Sequence, residues 1–241
     1  MFHKEQLCHV LESKISWWYS KLLFLDCDIV FDNPGWYDEL SKKLDLFQVV
    51  HPFEVCKWLD LSYTSILLER RSVVTQQKEV IYNPTYHPGF AWAFQRKWFK
   101  NNGFFRYAIT GSGDTLSAAA WLNQNFDKYY LLPSALKPSY MEYKSRLKRP
   151  TISYLPGTIY HLYHGERKNR KYSERHKLLD GFDDIRKEIK ISFWGIFYFK
   201  KSDLKEKMHR YFLERSDDAI NEFQDVNLME DESLKEISID Y

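Results

Sequence analysis

Asp26 and Asp28 stand two residues apart inside an otherwise apolar run, KLLFLDCDIVF, residues 21–31. Read as one buried central strand, the run puts both carboxylates on the same face, because side chains alternate along a strand. Two carboxylates converging in an apolar element are costly unless they meet a cation or take up protons. With a diphosphate as third party, that chemistry suits a hard divalent ion, Mn²⁺ or Mg²⁺. The plainer alternative is a strand end at which both acids reach water. Two other segments carry groups of the same kind. Asp114 lies in GSGDTLSAAAW, a glycine-rich turn feeding a helix. There an acid serves either as a helix cap or as the base that takes a proton from an acceptor hydroxyl. His161 and His164 lie in IYHLYHG, directly before Gly165 and the basic stretch ERKNRKYSERHK. On a continuous strand the two histidines face opposite sides. Only one would then bind metal, His164 for preference, with His161 kept as the alternative. Arg167, Lys168, Arg170 and Lys171 would neutralise the diphosphate. A solvated basic loop beside two structural histidines is the bland alternative.

Taken in chain order, these segments resemble GT-A-type nucleotide-sugar glycosyltransferases. The resemblance is carried by KLLFLDCDIVFDNPGWYDEL with its DxD, by HPGFAWAFQRKWFKNNGFFRYAITGSGDTLSAAAWL, and by IYHLYHGERKNRKYSERH. It implies an α/β fold, a Rossmann-like mixed sheet flanked by helices. It also implies Mn²⁺ or Mg²⁺ held by Asp26, Asp28 and a late histidine, His164 or His161. Donor contacts would come from Asp26, Arg167 and Lys168, and acceptor contacts from Phe90, Trp92 and Gly113. Asp114 would be the general base of an inverting transfer from a nucleotide-diphosphate sugar to a glycan or other hydroxyl acceptor. Only 25 residues precede Asp26, where two βαβ units need roughly 60. The fold is therefore expected to be shortened at its N-terminus, and a non-catalytic remnant that binds sugar or a partner is the alternative function. A haloacid-dehalogenase-like phosphatase is a further rival, with Asp26 as nucleophile, Asp28 as acid/base and Asp183–Asp184 as the later acid pair. It leaves the GFAWAF and GSGD segments unexplained.

The elements that must position these groups are readable in outline. Residues 3–14 read as a helix with Leu7, Val10 and Leu11 on one stripe. Asn33-Pro34-Gly35 makes a turn, 36–44 a short helix and 46–52 a strand. Residues 60–86 are ambiguous. Residues 87–104 begin at a turn, give a strand or helix start around Trp92, and close with a helix ending at Gly103. Residues 151–165 read as strand, turn and strand. Asp203 and Glu206 form a capping-box pattern opening a helix with Leu204, Met208, Tyr211 and Phe212 on one face. The domain assignment that follows is a glycosyltransferase-like unit over 1–200, then an amphipathic helix and acidic tail over 201–241.

Composition limits the classes further. At 241 residues, 44% hydrophobic and 17% aromatic, the chain can build a sizeable core and is not disordered. So many rings suit clefts that stack sugars, as well as ordinary packing. Cys8, Cys27 and Cys56 form no CxxC pair, which points to a reducing, cytoplasmic setting and away from a disulfide scaffold or structural zinc site. No apolar run approaches the ~20 residues of a membrane helix; the longest, Ile191 to Phe199, contains Ser192 and Gly195. The N-terminus lacks the apolar core of a secretory signal. Net charge is +2, but nine acids face one lysine from Asp217 to Tyr241, leaving the remainder at about +10. A basic body suits phosphate-bearing ligands. With the basic residues concentrated in one loop and no recognised module, nucleic acid is not an expected partner.

Overall fold

The computed structural model describes residues 1–76, 85–123, 132–165, 171 and 174–214. The expectations on Arg167, Lys168 and Arg170, and on the acidic tail, fall outside these residues. The described chain is a mixed α/β structure with mixed sheets flanked by helices. One sheet contains β1 (Lys21–Leu25), β7 (Ala91–Gln95), β3 (Val49–His51) and β8 (Ile152–Tyr154), in that order. A second contains β2 (Ile29–Phe31), β9 (Thr158–His161), β4 (Val55–Leu59), β5 (Ile66–Ser72) and β6 (Tyr86–His87). A separate hairpin pairs β10 (Ile189–Ile191) with β11 (Phe197–Phe199).

Four times the chain passes between the two large sheets through three residues: 26–28, 52–54, 88–90 and 155–157. Pro52, Pro88, Gly89, Pro156 and Gly157 sit in these junctions, where a missing N–H or a missing side chain lets a ladder end. The site described below is built along this seam.

The first sheet is covered on both faces, and its residues alternate accordingly. Leu22, Val49, Trp92 and Phe94 point to one side, against α1 (Lys4–Lys14), α3 (Arg96–Asn101) and α4 (Gly113–Trp121). Leu23, Val50 and Ala93 point to the other, against Leu40 and Leu44 of α2 (Trp36–Leu46). Much of the aromatic content goes into this packing: Phe94, Trp98, Phe99, Phe104 and Trp121 form one contiguous ring cluster. A second cluster joins Leu116 of α4 and Tyr140 of α5 (Lys137–Arg146) to Leu204 and Met208 of α6 (Asp203–Glu214). Helix α6 thus packs into the same cluster as α4 and α5.

Two expectations are corrected. Residues 21–31 are not one central strand. Among the described residues β1 lies at the edge of the first sheet and pairs only with β7, β2 lies at the edge of the second, and the two acids occupy the turn between. Helix α1 is also turned over relative to its apolar stripe: Glu5, Gln6, Cys8 and Glu12 are buried, while Leu7 and Leu11 are exposed. Its polar groups can be buried because they find partners. Arg96 donates to the Glu12 carboxylate at 2.7 Å and also to the carbonyls of Glu12, Ile15, Ser16 and Tyr19. Gln6 bonds both the carbonyl of Gly195 and the N–H of Phe197.

Candidate functional site

The turn 26–28 is held from two directions. The N–H of Asp26 donates to the carbonyl of Phe90 at 2.8 Å, and the carbonyl of Asp28 accepts from the N–H of Leu162 at 2.9 Å. Asp26 is thereby fixed to the 88–90 junction and Asp28 to the end of β9. The β2–β9 ladder closes at the Ile29–His161 pair, after which the chain turns through Gly165 at φ +96°. That turn overrides the strand alternation that would have set the two histidines on opposite faces. His164 Nε2 lies 2.9 Å from Asp28 Oδ2, His161 Nε2 lies 3.3 Å from the same oxygen, and the two imidazole nitrogens are 3.1 Å apart.

Asp28, His161 and His164 thus offer three ligand atoms within 4.8 Å of one another, a group that could hold a metal ion. The other oxygen, Asp28 Oδ1, is buried and has no hydrogen-bond partner among the described residues. A buried carboxylate oxygen left without a donor is expensive, and a cation at this point would remove that cost. Burial pushes the Asp28 carboxyl up, but the hydrogen bond from His161 and the electrostatic pull of both histidines outweigh it and hold it below the usual range. The carboxylate is therefore ionised and ready to ligate. Phe90 and Trp58 back the His161 ring at centroid distances of 4.7 and 6.0 Å. Phe90 adopts φ +76°, a strained conformation for a bulky side chain. It joins both halves of the site, its ring against His161 and its carbonyl on Asp26.

Asp26 is not part of that group. Its Oδ1 is 2.6 Å from Lys4 Nζ at the start of α1. Burial pushes the Asp26 carboxyl up, the Lys4 charge pulls it down, and the balance stays above the usual value. Burial works against the charge on Lys4, but Asp26 and Asp114 overcome it and keep the amine firmly protonated. Asp114 occupies the first turn of α4, as its sequence position implied, and takes the Thr115 N–H at 2.6 Å on Oδ1. Its Oδ2 sits 2.7 Å from the point where a Cβ on Gly89 would stand. Gly113 leaves similar room for the Glu5 carboxylate, which fills the space of the missing side chain. Burial and the charge of Asp114 push Glu5 up to about 7. Lys4, Glu5, Asp26 and Asp114 therefore form a second polar group alongside the first.

The acceptor side is not as expected. Phe90 and Trp92 are buried at 7% and 2% exposure and present no open face to a sugar ring. Trp92 stacks on His51 and donates its indole N–H to the Pro88 carbonyl. The cleft beside Asp114 is bordered by Lys4, Glu5, Cys8, Phe24, Phe90 and Phe104. It holds only about 10 Å³ of free space, room for about one water. Lys171 pairs with Glu214 at 2.8 Å rather than facing the metal group. For the phosphatase alternative, Asp184 is committed to Arg186 through three donors, and Asp28 to two imidazoles. Neither Lys4 nor Glu5 was among the expected site residues. Both lie in a helix whose apolar stripe suggested the opposite orientation, and nothing local in the sequence signals their contact with α4. No family model, curated protein or solved structure matches the chain.

Proposed function

We propose that this chain is a metal-dependent glycosyltransferase of the GT-A type, moving a sugar from a nucleotide-diphosphate sugar to a hydroxyl acceptor. The observation that carries the reading is the convergence of His161 and His164 on Asp28 Oδ2, beside a buried Oδ1 that has no hydrogen-bond partner among the described residues. Two imidazoles and one carboxylate suit Mn²⁺ better than Mg²⁺, which prefers oxygen ligands. Such an ion, when bound, supplies positive charge to the departing nucleoside diphosphate. The chain's own residues divide the remaining work. Lys4 is a fixed cation next to Asp26, placed to meet a phosphate oxygen while Asp26 accepts from a donor hydroxyl. Asp114, with Oδ1 occupied by Thr115, keeps Oδ2 toward Gly89, where it can take the proton of an acceptor hydroxyl.

One observation favours a second reading, a non-catalytic relative that binds metal and sugar nucleotide. The cleft beside Asp114 is too narrow for a sugar unless α1 shifts. The two readings separate in an assay of nucleoside diphosphate release from a panel of nucleotide sugars, with Mn²⁺ and candidate hydroxyl acceptors. The enzyme reading requires Mn²⁺-dependent release that is lost in Asp28→Ala. Release should fall by ~10² to 10⁴ in Asp114→Asn with donor binding intact, the usual contribution of a positioned base. Donor and Mn²⁺ binding without release from any donor supports the second reading. Equal turnover by Asp114→Asn leaves Asp114 as a helix residue only.

A further inference from the structure

The β10–β11 hairpin carries its largest apolar side chains outward. Phe193 is 94% exposed and Trp194 71%, and Ile191 beside them is more than half exposed. The turn that presents them is well built rather than loose. Ser192 accepts from Gly195, donates to the Ile196 carbonyl and takes the Ile196 N–H on its hydroxyl. Gln6 of α1 anchors the same turn through Gly195 and Phe197. Gly195 also lies over Val10 of α1, so the hairpin tip sits beside the helix whose Leu7 and Leu11 face outward. Large exposed rings grouped this way mark a surface that contacts something apolar.

The charges around the hairpin identify the partner. Lys187, Lys200 and Lys201 stand at its base and Lys190 on its first strand, against a single acid, Glu188, within residues 187–201. Strands of three residues, at about 3.3 Å each, set Lys187, Lys200 and Lys201 roughly 10 Å behind the rings at the tip, with Lys190 about half as far back. That spacing matches a bilayer surface, where apolar side chains enter about 5–10 Å and cations remain at the headgroups. Trp favours this boundary, and lysine stems reach back toward it. On the outer face of the hairpin Lys190 pairs across the strands with Tyr198, repeating the arrangement of cation beside amphipathic ring. We propose that the hairpin tip, with the exposed side of α1, is a docking surface for an anionic lipid bilayer. The protein would lie on such a membrane without crossing it, and no described helix is long and apolar enough to cross one. The proposal is independent of the glycosyltransferase reading.

The test is co-sedimentation of the full chain with phosphatidylcholine vesicles, with and without about one quarter phosphatidylglycerol. Binding should require the anionic lipid and weaken as salt is raised. Phe193→Ser with Trp194→Ser should reduce the bound fraction about tenfold, with circular dichroism and elution volume unchanged. Lys190→Glu with Lys201→Glu should lower binding on anionic vesicles to the level of neutral ones. Failure of the wild type to sediment with either vesicle overturns the proposal, as does equal binding by the aromatic variant. So does a wild-type dimer that the aromatic variant returns to a monomer, because the face would then be an interface between copies.

Discussion

Asp28 faces two imidazoles and Asp26 faces an ammonium, although only Cys27 separates them. The divergence arises in the backbone. Asp26 ends a strand of the first sheet and is tied to Phe90, whereas Asp28 opens a strand of the second and is tied to Leu162. Two neighbouring carboxylates thus enter different electrostatic surroundings, one shifted up and one shifted down. A DxD pattern names two acids but does not establish that they act on one ion. In this chain the second acid keeps company with histidines from a distant segment, and the first is held by the helix that begins at Lys4.

The largest expected effect tests that division directly. Calorimetric titration with Mn²⁺ should show Asp28→Ala losing at least ~10³-fold in affinity, beyond the ~10- to 100-fold typical of a merely supporting residue. Asp26→Asn should change it by less than about threefold. Equal losses in the two variants would mean that both acids reach the ion and that the Lys4 contact gives way when metal binds.

How far the sequence foretold this arrangement varies by element. The helix over 36–44, the glycine-rich turn feeding a helix at Asp114, the strand near 46–52 and the strand–turn–strand at 151–165 follow from local apolar patterns and turn residues, and the described residues contain each of them. Asp28, His161 and His164 were legible as residue types. The resemblance implied that Asp28 meets one of the two histidines; that both reach it was not legible, because this depends on where the β9 ladder stops, and ladder ends are set by pairing across the sheet. The split of residues 21–31 between two sheets was hidden for a related reason. An apolar run looks alike whether it is one buried strand or two short edge strands whose faces are covered by different partners. Helix α1 misled most, because its orientation is decided by Arg96 and by the Gly195 turn, 84 and 189 residues from their partners.

Glu5 sharpens the comparison by pH. Burial and the charge of Asp114 push the Glu5 carboxyl up to about 7 in the folded protein, against about 4.5 in the unfolded chain. A folded pKa above the unfolded one means the native state binds the extra proton between these values. Its contribution to stability is therefore present below about pH 4.5 and lost as pH rises through 7. Glu5→Gln removes the titration and keeps the shape. Denaturant unfolding should show the variant gaining on the wild type between pH 4.5 and 8 by roughly 3 kcal/mol, somewhat less than the full shift at about 1.4 kcal/mol per unit. Measuring the difference between the two proteins cancels the buried histidines His9 and His176, which are pushed down to about 4 and act in the opposite sense. A pH-independent difference would show that Glu5 does not titrate between these values in the folded protein, and would remove it from the Lys4 group as a proton-binding member.

Lys4 should give the smallest effect on stability and the most informative one on coupling. Its ion pair with Asp26 is short, at 2.6 Å, but the side chains are 44% and 33% exposed, so water competes for both. Pairs of this kind contribute about 0–1 kcal/mol. Lys4→Gln should therefore lower unfolding stability by less than about 1 kcal/mol. The pair joining Glu12 of the same helix to Arg96 of α3 has side chains only 9% and 8% exposed. Breaking it with Arg96→Ala should cost on the order of 3–5 kcal/mol by leaving a buried charge unpaired. The informative readout on Lys4→Gln is Mn²⁺ affinity. Independent groups predict a change within about twofold, because Lys4 touches Asp26 and none of the three ligating side chains. A gain of tenfold or more would show that Asp26, once released from Lys4, turns toward the ion. The two carboxylates would then form one site that α1 holds apart, and Lys4 would be the residue that keeps it so.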